Sequence, residues 1–214
     1  MKPVVVVLAA PSGSGKTTIA RALIARWPER YGFSVSATTR PPRAGERDGE
    51  AYYFVSRPEF DEKRRGGEFL EWAEYAGELY GTLAREVDGL VGAGRHVLLD
   101  IEVQGARQVR RAYPPPESVA VFILPPSATE LLRRLEGRRT ESPTERARRL
   151  ETAVAELQQA ETFDHVVVND DLDTTVAAVD QIVAGRQSAP PDPGAAKRIR
   201  TLVGELKRQI KEIS

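Results

Sequence analysis

Hydrophobic residues along the chain follow two alternating patterns, one typical of buried strands and one typical of helices. The continuous apolar run from Val4 to Leu8 predicts a strand buried on both faces, and a glycine-rich stretch ends it. Apolar residues at helical spacing then predict a helix from Thr17 to Trp27. The same patterns predict further strands at 96–101, 119–124 and 166–168 and further helices at 128–135, 145–160 and 174–184. This alternation favours an α/β fold with a parallel sheet and flanking helices.

Two stretches interrupt the alternation. Residues 34–84 show short polar–apolar alternations and many turn residues, which predict a small, mostly antiparallel insertion with a helix near 58–65. Residues 137–144 are rich in arginine, threonine and glutamate with almost nothing apolar, so they predict a solvated loop or lid. The core is then expected at residues 1–33 and 85–187, with the lid region inside it at about 126–150.

The end of the chain carries a separate pattern. The proline-rich segment 188–194 predicts a stiff linker, and residues 195–214 predict an appended amphipathic helix. Basic residues flank the apolar stripe of this helix. It could therefore pack on the core, mediate self-association or contact an acidic partner, and packing is the simplest interpretation. The sequence leaves the choice between a monomer and a homo-oligomer open.

Composition and charge exclude several classes of function. The 214 residues contain no cysteine and two histidines, which excludes disulfides, thiolate chemistry and zinc clusters. The 31 basic residues balance 31 acidic ones, so no global field favours nucleic acid or a membrane surface. The apolar stretch 4–10 is too short to span a membrane and lacks the features of a signal peptide. We therefore expect a cytoplasmic protein without nucleic-acid or membrane partners.

Residues 10–17, APSGSGKT, match the phosphate-binding loop pattern except that Ala10 stands where glycine is commonest. A predicted strand precedes the loop and a predicted helix follows it, which is the context that the pattern requires. Backbone N–H groups of such a loop bind phosphate oxygens, Lys16 reaches the β- and γ-phosphates, and the Thr17 hydroxyl suits Mg²⁺. The predicted triphosphate-binding residues are Ala10, Pro11, Ser12, Gly13, Ser14, Gly15, Lys16, Thr17 and Thr18.

A second candidate phosphate site lies in the insertion. Arg40 and Arg43 stand three residues apart in a segment stiffened by two prolines. Guanidinium groups bind phosphate through paired hydrogen bonds, so the two arginines could clamp a monophosphate, although they could also form a solvated basic loop. Because the phosphate-binding loop accounts only for a triphosphate, this pair is the candidate site for a phosphorylated acceptor.

The residues around this pair carry a specific pattern. Thr38 to Phe54 reads T-T-R-x-x-R-x-x-E-x-x-G-x-x-Y-x-F, and the segment LDIEVQG follows at 99–105. With the phosphate-binding loop, these segments resemble guanylate kinase, collinearly over about Val4 to Gly185. In that family the loop binds ATP, a small mixed-sheet insertion binds GMP, and an arginine-bearing lid closes over the phosphates. The resemblance implies Mg²⁺-dependent phosphoryl transfer from ATP to GMP, with residues 34–84 as the GMP-binding insertion.

The resemblance also implies roles for individual residues. Those implied in GMP binding are Ser36, Arg40, Arg43, Glu46, Tyr52, Glu71, Tyr80, Thr82, Asp100 and Glu102. Of these, Glu71, Thr82 and Glu102 would contact the guanine. Guanine presents two adjacent donors that one carboxylate can accept, whereas adenine presents an acceptor at N1, so Glu71 suits guanine on chemical grounds too. Glu102 stands where the family more often has aspartate.

Further candidates concern the metal and the transferred phosphoryl group. Asp100 follows the apolar residues 96–99 of a predicted strand and, with Thr17, is the expected holder of Mg²⁺. Arg134 and Arg138 lie at i and i+4, and Arg149 comes from the next helix; with Lys16 they are the predicted catalytic residues. Residues 169–172 resemble the adenine-side loop of the family, so Asn169 is predicted to bind ATP, although an N-cap before the helix at 174 explains this segment equally well.

Two other interpretations remain at this stage. A guanylate-kinase-like module could bind phosphorylated peptides without catalysis, but such modules typically lose the loop lysine and the lid arginines that this chain has. A kinase of another phosphorylated acceptor could share the same core, and the complete acceptor pattern disfavours it. The expected ligands are therefore ATP and GMP.

Overall fold

A computed structural model describes residues 2–75, 77–136, 143–185 and 194–213. The predicted linker, apart from Gly194, lies outside these residues, as do Arg138 and Arg139. The contacts of the chain divide it into two units, which consist of Met1–Val7 with Ile24–Val119 and of Leu8–Leu23 with Ala120–Ser214.

The described residues form strands and helices in the predicted alternation. The strands are β1 (Val5–Ala9), β2 (Tyr31–Phe33), β3 (Ser36–Thr38), β4 (Tyr53–Phe54), β5 (Phe69–Tyr75), β6 (Glu78–Leu83), β7 (His96–Asp100), β8 (Ser118–Leu124) and β9 (His165–Val168). The helices are α1 (Lys16–Arg26), α2 (Arg57–Arg65), α3 (Ala84–Gly92), α4 (Val103–Ala112), α5 (Ala128–Glu136), α6 (Pro143–Leu157), α7 (Leu172–Val183) and α8 (Ala195–Ile213). Helices α3 and α4 were not predicted, and α6 begins inside the stretch predicted as loop.

The larger sheet has five strands in the order β2-β7-β1-β8-β9. β2 pairs with β7 in parallel, and β8 pairs with β9 in parallel. Every residue of β1 is buried, as expected for a strand covered on both faces. The predicted α/β fold with a parallel sheet is therefore confirmed.

The smaller sheet has four strands in the order β4-β3-β6-β5. β6 pairs antiparallel with both β3 and β5, while β4 joins β3 in parallel. One face of this sheet packs on α2, where Ala37, Leu79 and Phe60 are almost fully buried. A capping box fixes the start of α2, because Glu59 N–H donates to the Ser56 hydroxyl and the Glu59 carboxylate accepts from the Ser56 N–H. The opposite face of the sheet is left for polar residues.

Helix α8 packs on α6 and also contacts α5. Its buried side includes Ile199, Leu202 and Leu206, the apolar stripe that predicted the helix. The apolar side of α8 thus packs on the rest of the chain, which is the first of the three alternatives for this helix. None of the helices in the described ranges combines the length and the apolar character needed to cross a membrane.

Candidate functional site

The phosphate-binding loop connects the end of β1 to the start of α1. Gly13 and Gly15 have φ angles of 88° and 95°, in the left-handed region that favours glycine. At Gly15 space is limiting too, because a Cβ atom would lie 2.5 Å from Nδ2 of Asn169. Inside the loop, the Ser14 N–H donates to the Pro11 carbonyl at 3.0 Å. Both glycines therefore allow the backbone to turn, and Gly15 also leaves room for the Asn169 side chain.

Asn169 stabilises this loop from the end of β9. Its side chain is buried, and its Nδ2 donates to the Ser14 carbonyl at 2.7 Å. The N-cap of α7 is Asp171, whose carboxylate accepts from the Thr174 N–H at 2.8 Å. The N-cap interpretation of the segment 169–172 is therefore confirmed, with Asp171 as the capping residue, while the Asn169 amide bonds to the loop. Its predicted contact with ATP stays a prediction.

Lys16, Thr17 and Thr18 form the first turn of α1. This is where a helix has backbone N–H groups without intrahelical partners and a positive end of its dipole. The Thr17 and Thr18 side chains are exposed, while Lys16 is half-buried. The loop and this turn together have the backbone arrangement that binds a polyphosphate.

The described lid arginines lie on α5 and α6. Arg134 is next to the phosphate-binding loop, since its Nη1 lies 4.0 Å from the position of a Cβ at Gly15. Glu130, one turn earlier, accepts from Arg134 Nε at 2.6 Å. The guanidinium groups of Arg133 and Arg134 lower the pKa of Glu130 to about 2. Arg149 is half-buried on α6, and Arg138 lies outside the described residues.

Glu130 is a residue that the sequence reasoning missed. Its role follows from spacing, because residues three and four apart on a helix are neighbours. Its carboxylate forms ion pairs with both Arg133 and Arg134. These pairs restrict where the Arg134 guanidinium can lie. The i, i+4 spacing of Glu130 and Arg134 was the signal in the sequence that could have identified it.

In the other unit, three residues predicted to bind GMP form a row across the smaller sheet. Ser36 of β3 is opposite Thr82 of β6, and Thr82 is opposite Glu71 of β5. Directly opposed residues point to the same face of a sheet. Tyr80, two residues before Thr82, shares this face. The row lies opposite the apolar face that packs on α2.

A register shift in β5 puts Glu71 into this row. Phe69 pairs with Leu83 and Glu71 pairs with Thr82, so one residue, Leu70, is extra on β5. Without the shift, Phe69 and Glu71 would point to the same face, because side chains alternate along a strand. The bulge instead lets Phe69 join the apolar cluster on α2 while Glu71 faces the other way.

The carboxylate of Glu71 is buried and held by Thr82. The residue is 4% exposed, and its Oε1 accepts from the Thr82 hydroxyl at 2.6 Å and from the Thr82 N–H at 3.1 Å. Burial raises the pKa of the Glu71 carboxyl to about 7, while the hydrogen bonds from Thr82 act in the opposite direction. A buried acceptor of this kind suits a ligand that presents N–H donors.

Arg40 lies between a carboxylate and two aromatic rings. Its Nη2 donates to Glu46 Oε1 at 2.9 Å and its Nη1 donates to the Pro41 carbonyl at 2.8 Å. Its guanidinium carbon lies 5.5 Å from the centre of the Tyr52 ring and 5.8 Å from that of Phe54. The hydrogen bond to Glu46 raises the pKa of the Arg40 guanidinium. Arg40 is therefore a fixed cation.

The same glutamate fixes the backbone beside Arg43. Glu46 Oε2 accepts from the Arg43 N–H at 2.7 Å, and the Arg43 side chain is exposed. The two arginines of the predicted clamp thus differ, because Arg40 is held in place and Arg43 extends into solvent. The carboxylate of Glu46 therefore bonds to both residues, to the side chain of Arg40 and to the backbone of Arg43.

Tyrosines and acids complete this side of the site. The rings of Tyr52 and Tyr80 meet edge to face, with centres 5.9 Å apart. Burial raises the pKa of the Tyr52 hydroxyl, and the negative charge of Asp100 adds to this effect. Asp100 ends β7, and Glu102 is the N-cap residue of α4, with no hydrogen bond from its side chain to that helix end. The structure thus brings Asp100 close enough to Tyr52 for their charges to interact.

Comparisons with known proteins agree with this geometry. The sequence model of the guanylate kinase family matches residues 1–186. The chain is 49% identical to a guanylate kinase of Nostoc sp. over 180 residues, which are 84% of this chain and 89% of that protein. It is 46% identical to a guanylate kinase of Symbiobacterium thermophilum over 195 residues, 91% of each chain.

A solved structure agrees as well. The crystal structure of guanylate kinase from Anaplasma phagocytophilum is 32% identical and superposes with a TM-score of 0.70. The match covers 97% of this chain and 94% of that one. From the phosphate-binding loop, the row of polar residues on the smaller sheet and these matches, we conclude that the chain belongs to the guanylate kinase family.

Proposed function

We propose that this chain transfers the γ-phosphoryl group of ATP to GMP, which makes it a nucleoside monophosphate kinase. The observation that carries the choice of acceptor is the buried carboxylate of Glu71. Guanine presents the N1–H and the exocyclic amine side by side, and one carboxylate accepts from both. Adenine presents an acceptor at N1, which would repel the carboxylate and leave it unpaired. A buried polar group left unpaired by the wrong base gives selectivity of about 10⁴.

The acceptor phosphate would bind to the residues around Arg40. Arg40 supplies a cation held by Glu46, Arg43 supplies an exposed one, and the hydroxyls of Ser36, Tyr52 and Tyr80 supply further donors. A phosphate oxygen of GMP is already ionised at neutral pH and acts as the nucleophile, so no general base is needed. It attacks the γ-phosphorus as the bond to the departing ADP breaks.

The donor would bind to the phosphate-binding loop. Its backbone N–H groups and Lys16 neutralise the β- and γ-phosphates. Asn169 contributes by fixing the Ser14 carbonyl, which keeps the loop in shape. As negative charge spreads over the transferred group, Arg134, Arg138 and Arg149 would stabilise it. Glu130 orients Arg134 for that task.

We further propose Mg²⁺ as the cofactor, with the Thr17 hydroxyl and the Asp100 carboxylate as its protein partners. Magnesium prefers oxygen donors and keeps most of its waters, so a few protein oxygens and the phosphates suffice to bind it. When bound, Mg²⁺ would supply neutralisation of the β- and γ-phosphate charge. We also propose that residues 34–84 form the GMP-binding insertion and that the enzyme acts in the cytoplasm, where purine nucleotides are interconverted.

The role of Glu71 is tested by Glu71→Gln, with Glu74→Gln as the matched control. Glu74 lies on the same strand but is exposed and pairs with Arg57. We expect Glu71→Gln to lower kcat/KM for GMP by about 10²-fold or more, because the amide offers guanine only one acceptor. Glu74→Gln should behave as the unaltered enzyme. Full activity of Glu71→Gln on GMP would instead favour a kinase of a different phosphorylated acceptor.

A further inference from the structure

Helix α4 is fastened to strand β5 directly beside Glu71. β5 ends the strand order of the smaller sheet, so its outer edge pairs with no other strand in the part of the chain that the structure describes. The side-chain amide of Gln108 bonds to that edge instead. Its Nε2 donates to the Trp72 carbonyl at 2.8 Å, and its Oε1 accepts from the Trp72 N–H at 3.3 Å. One glutamine of α4 thus satisfies both backbone groups of the residue that follows Glu71.

Gly105 lies one turn earlier on α4 and faces the Glu71 carboxylate. A Cβ atom at this position would overlap Glu71 Oε2 and lie 2.9 Å from Cδ. On its other oxygen the carboxylate is held by the two hydrogen bonds from Thr82. The carboxylate is therefore confined between β6 and α4. A methyl group at position 105 could be accommodated only if the carboxylate or the helix moved.

The backbone of Gly105 does not require glycine. It lies within α4 and is not among the glycines with positive φ. Glycine weakens a helix relative to alanine, so its position here is best explained by the space that the Glu71 carboxylate occupies. Gly105 and Gln108 are three residues apart and therefore share one face of α4. This face meets β5 at Glu71 and Trp72.

We propose that Gly105 and Gln108 are positioning residues that set the selectivity for guanine by fixing the Glu71 carboxylate. The proposal rests on the proposed role of Glu71 in binding guanine. Two parallel hydrogen bonds to guanine require the two carboxylate oxygens at defined places, because hydrogen bonds weaken steeply when distance or angle changes. Gly105 provides the space for one oxygen, and Gln108 fixes the strand that carries the side chain.

The test compares GMP with inosine monophosphate (IMP) as acceptors, using steady-state kinetics of the full chain. Hypoxanthine keeps the N1–H of guanine and lacks the exocyclic amine, so the ratio of kcat/KM for GMP over IMP reports the placement of the carboxylate. The variants are Gly105→Ala, Gln108→Met and Glu71→Gln. The matched control is Gly89→Ala, a helical glycine of α3 at which a Cβ would meet no atom within 4 Å.

We expect Gly105→Ala to raise the KM for GMP by about 10- to 100-fold, the effect of a lost hydrogen bond to a charged group. The GMP/IMP ratio should fall with it, while the KM for ATP stays unchanged. Gln108→Met keeps the length of the side chain and removes both hydrogen bonds to Trp72. It should lower the ratio by about 3- to 10-fold. Gly89→Ala should match the unaltered enzyme.

The outcomes separate this proposal from the one on which it rests. If Glu71→Gln lowers kcat/KM for GMP but Gly105→Ala and Gln108→Met keep the GMP/IMP ratio, the positioning role is wrong and the role of Glu71 stands. If Glu71→Gln also leaves kcat/KM for GMP unchanged, both are wrong. Thermal melting establishes that each variant is folded. Should Gly105→Ala fail to fold, Gln108→Met alone decides, because it adds no atom beside the carboxylate.

Discussion

Replacing Glu71 by glutamine should change how the stability of the unliganded protein depends on pH. Burial raises the pKa of the Glu71 carboxyl from 4.5 to about 7, and the nearby charge of Glu102 adds to the effect. The folded state therefore binds this proton more tightly than the unfolded state does. As the pH rises from 4.5 to 7 the unfolded chain releases this proton while the folded protein keeps it, so the stability of the folded protein falls. One pKa unit corresponds to about 1.4 kcal/mol, which gives a loss of about 3 kcal/mol across this window.

The assay is urea unfolding of the unaltered protein and of Glu71→Gln at several pH values between 4.5 and 8. Because the other titrating groups are present in both proteins, their contributions cancel in the difference between the two free energies of unfolding. Between pH 4.5 and pH 8, we expect the free energy of unfolding of the unaltered protein to fall by up to about 3 kcal/mol relative to that of Glu71→Gln. Most of this change should occur below pH 7. A difference that does not vary with pH, or one that shifts the other way, would show that Glu71 is not a buried carboxyl of raised pKa.

Three further predictions concern the two halves of the site and the core beneath one of them. Lys16→Ala should reduce phosphoryl transfer by about 10³-fold or more without changing the melting temperature, since the side chain is expected to act on phosphate; retained transfer would contradict the assignment of the loop. Arg40→Ala should raise the KM for GMP by about 10- to 100-fold, and a defect confined to the KM for ATP would refute the clamp. Phe60 is fully buried under the smaller sheet, so Phe60→Ala should lower the free energy of unfolding in urea by about 3–5 kcal/mol; a loss below about 1 kcal/mol would show that this cluster is not a packed core.

The phosphate-binding loop was predictable because its determinants are local. Strand, glycine turn and helix follow one another within a few residues, and each has its own pattern. The support from Asn169 was not predictable, since its partner Ser14 is 155 residues away. A hydrogen bond at that separation depends on how β9 ends beside the loop. The sequence pattern permitted two roles for residues 169–172; the structure shows the N-cap at Asp171, and a contact of Asn169 with ATP stays a prediction.

The orientation of Glu71 shows a different limit. Strict alternation places Phe69 and Glu71 on one face of β5, and the bulge at Leu70 separates them. A bulge depends on how the strand pairs with its neighbour, so the residues of β5 alone do not reveal it. The resemblance to a family indicated Glu71 as a contact of guanine, which stays a prediction, and the direction of its side chain follows from the pairing of β5 with β6.

Helix α4 was missed although it has a helical signal. Val103, Ala106 and Val109 are buried at intervals of three residues, which is the apolar stripe of a short helix. Gly105 and the brevity of the stripe weakened that signal. The contact of α4 with β5 joins elements that are distant in sequence, and it is this contact that suggests a reason for the glycine. Similarly, the apolar stripe of α8 predicted a helix but not its packing on α6.

We expect the chain to phosphorylate GMP and no other common nucleoside monophosphate. The most direct measurement is coupled ADP release with ATP, Mg²⁺ and each of GMP, AMP, CMP and UMP, with Lys16→Ala as the blank. We predict rapid turnover with GMP, at most about 10⁻⁴ of that rate with AMP, and none above the blank with CMP or UMP. Comparable turnover with another monophosphate, or no turnover with any of the four from a folded protein, would contradict the account.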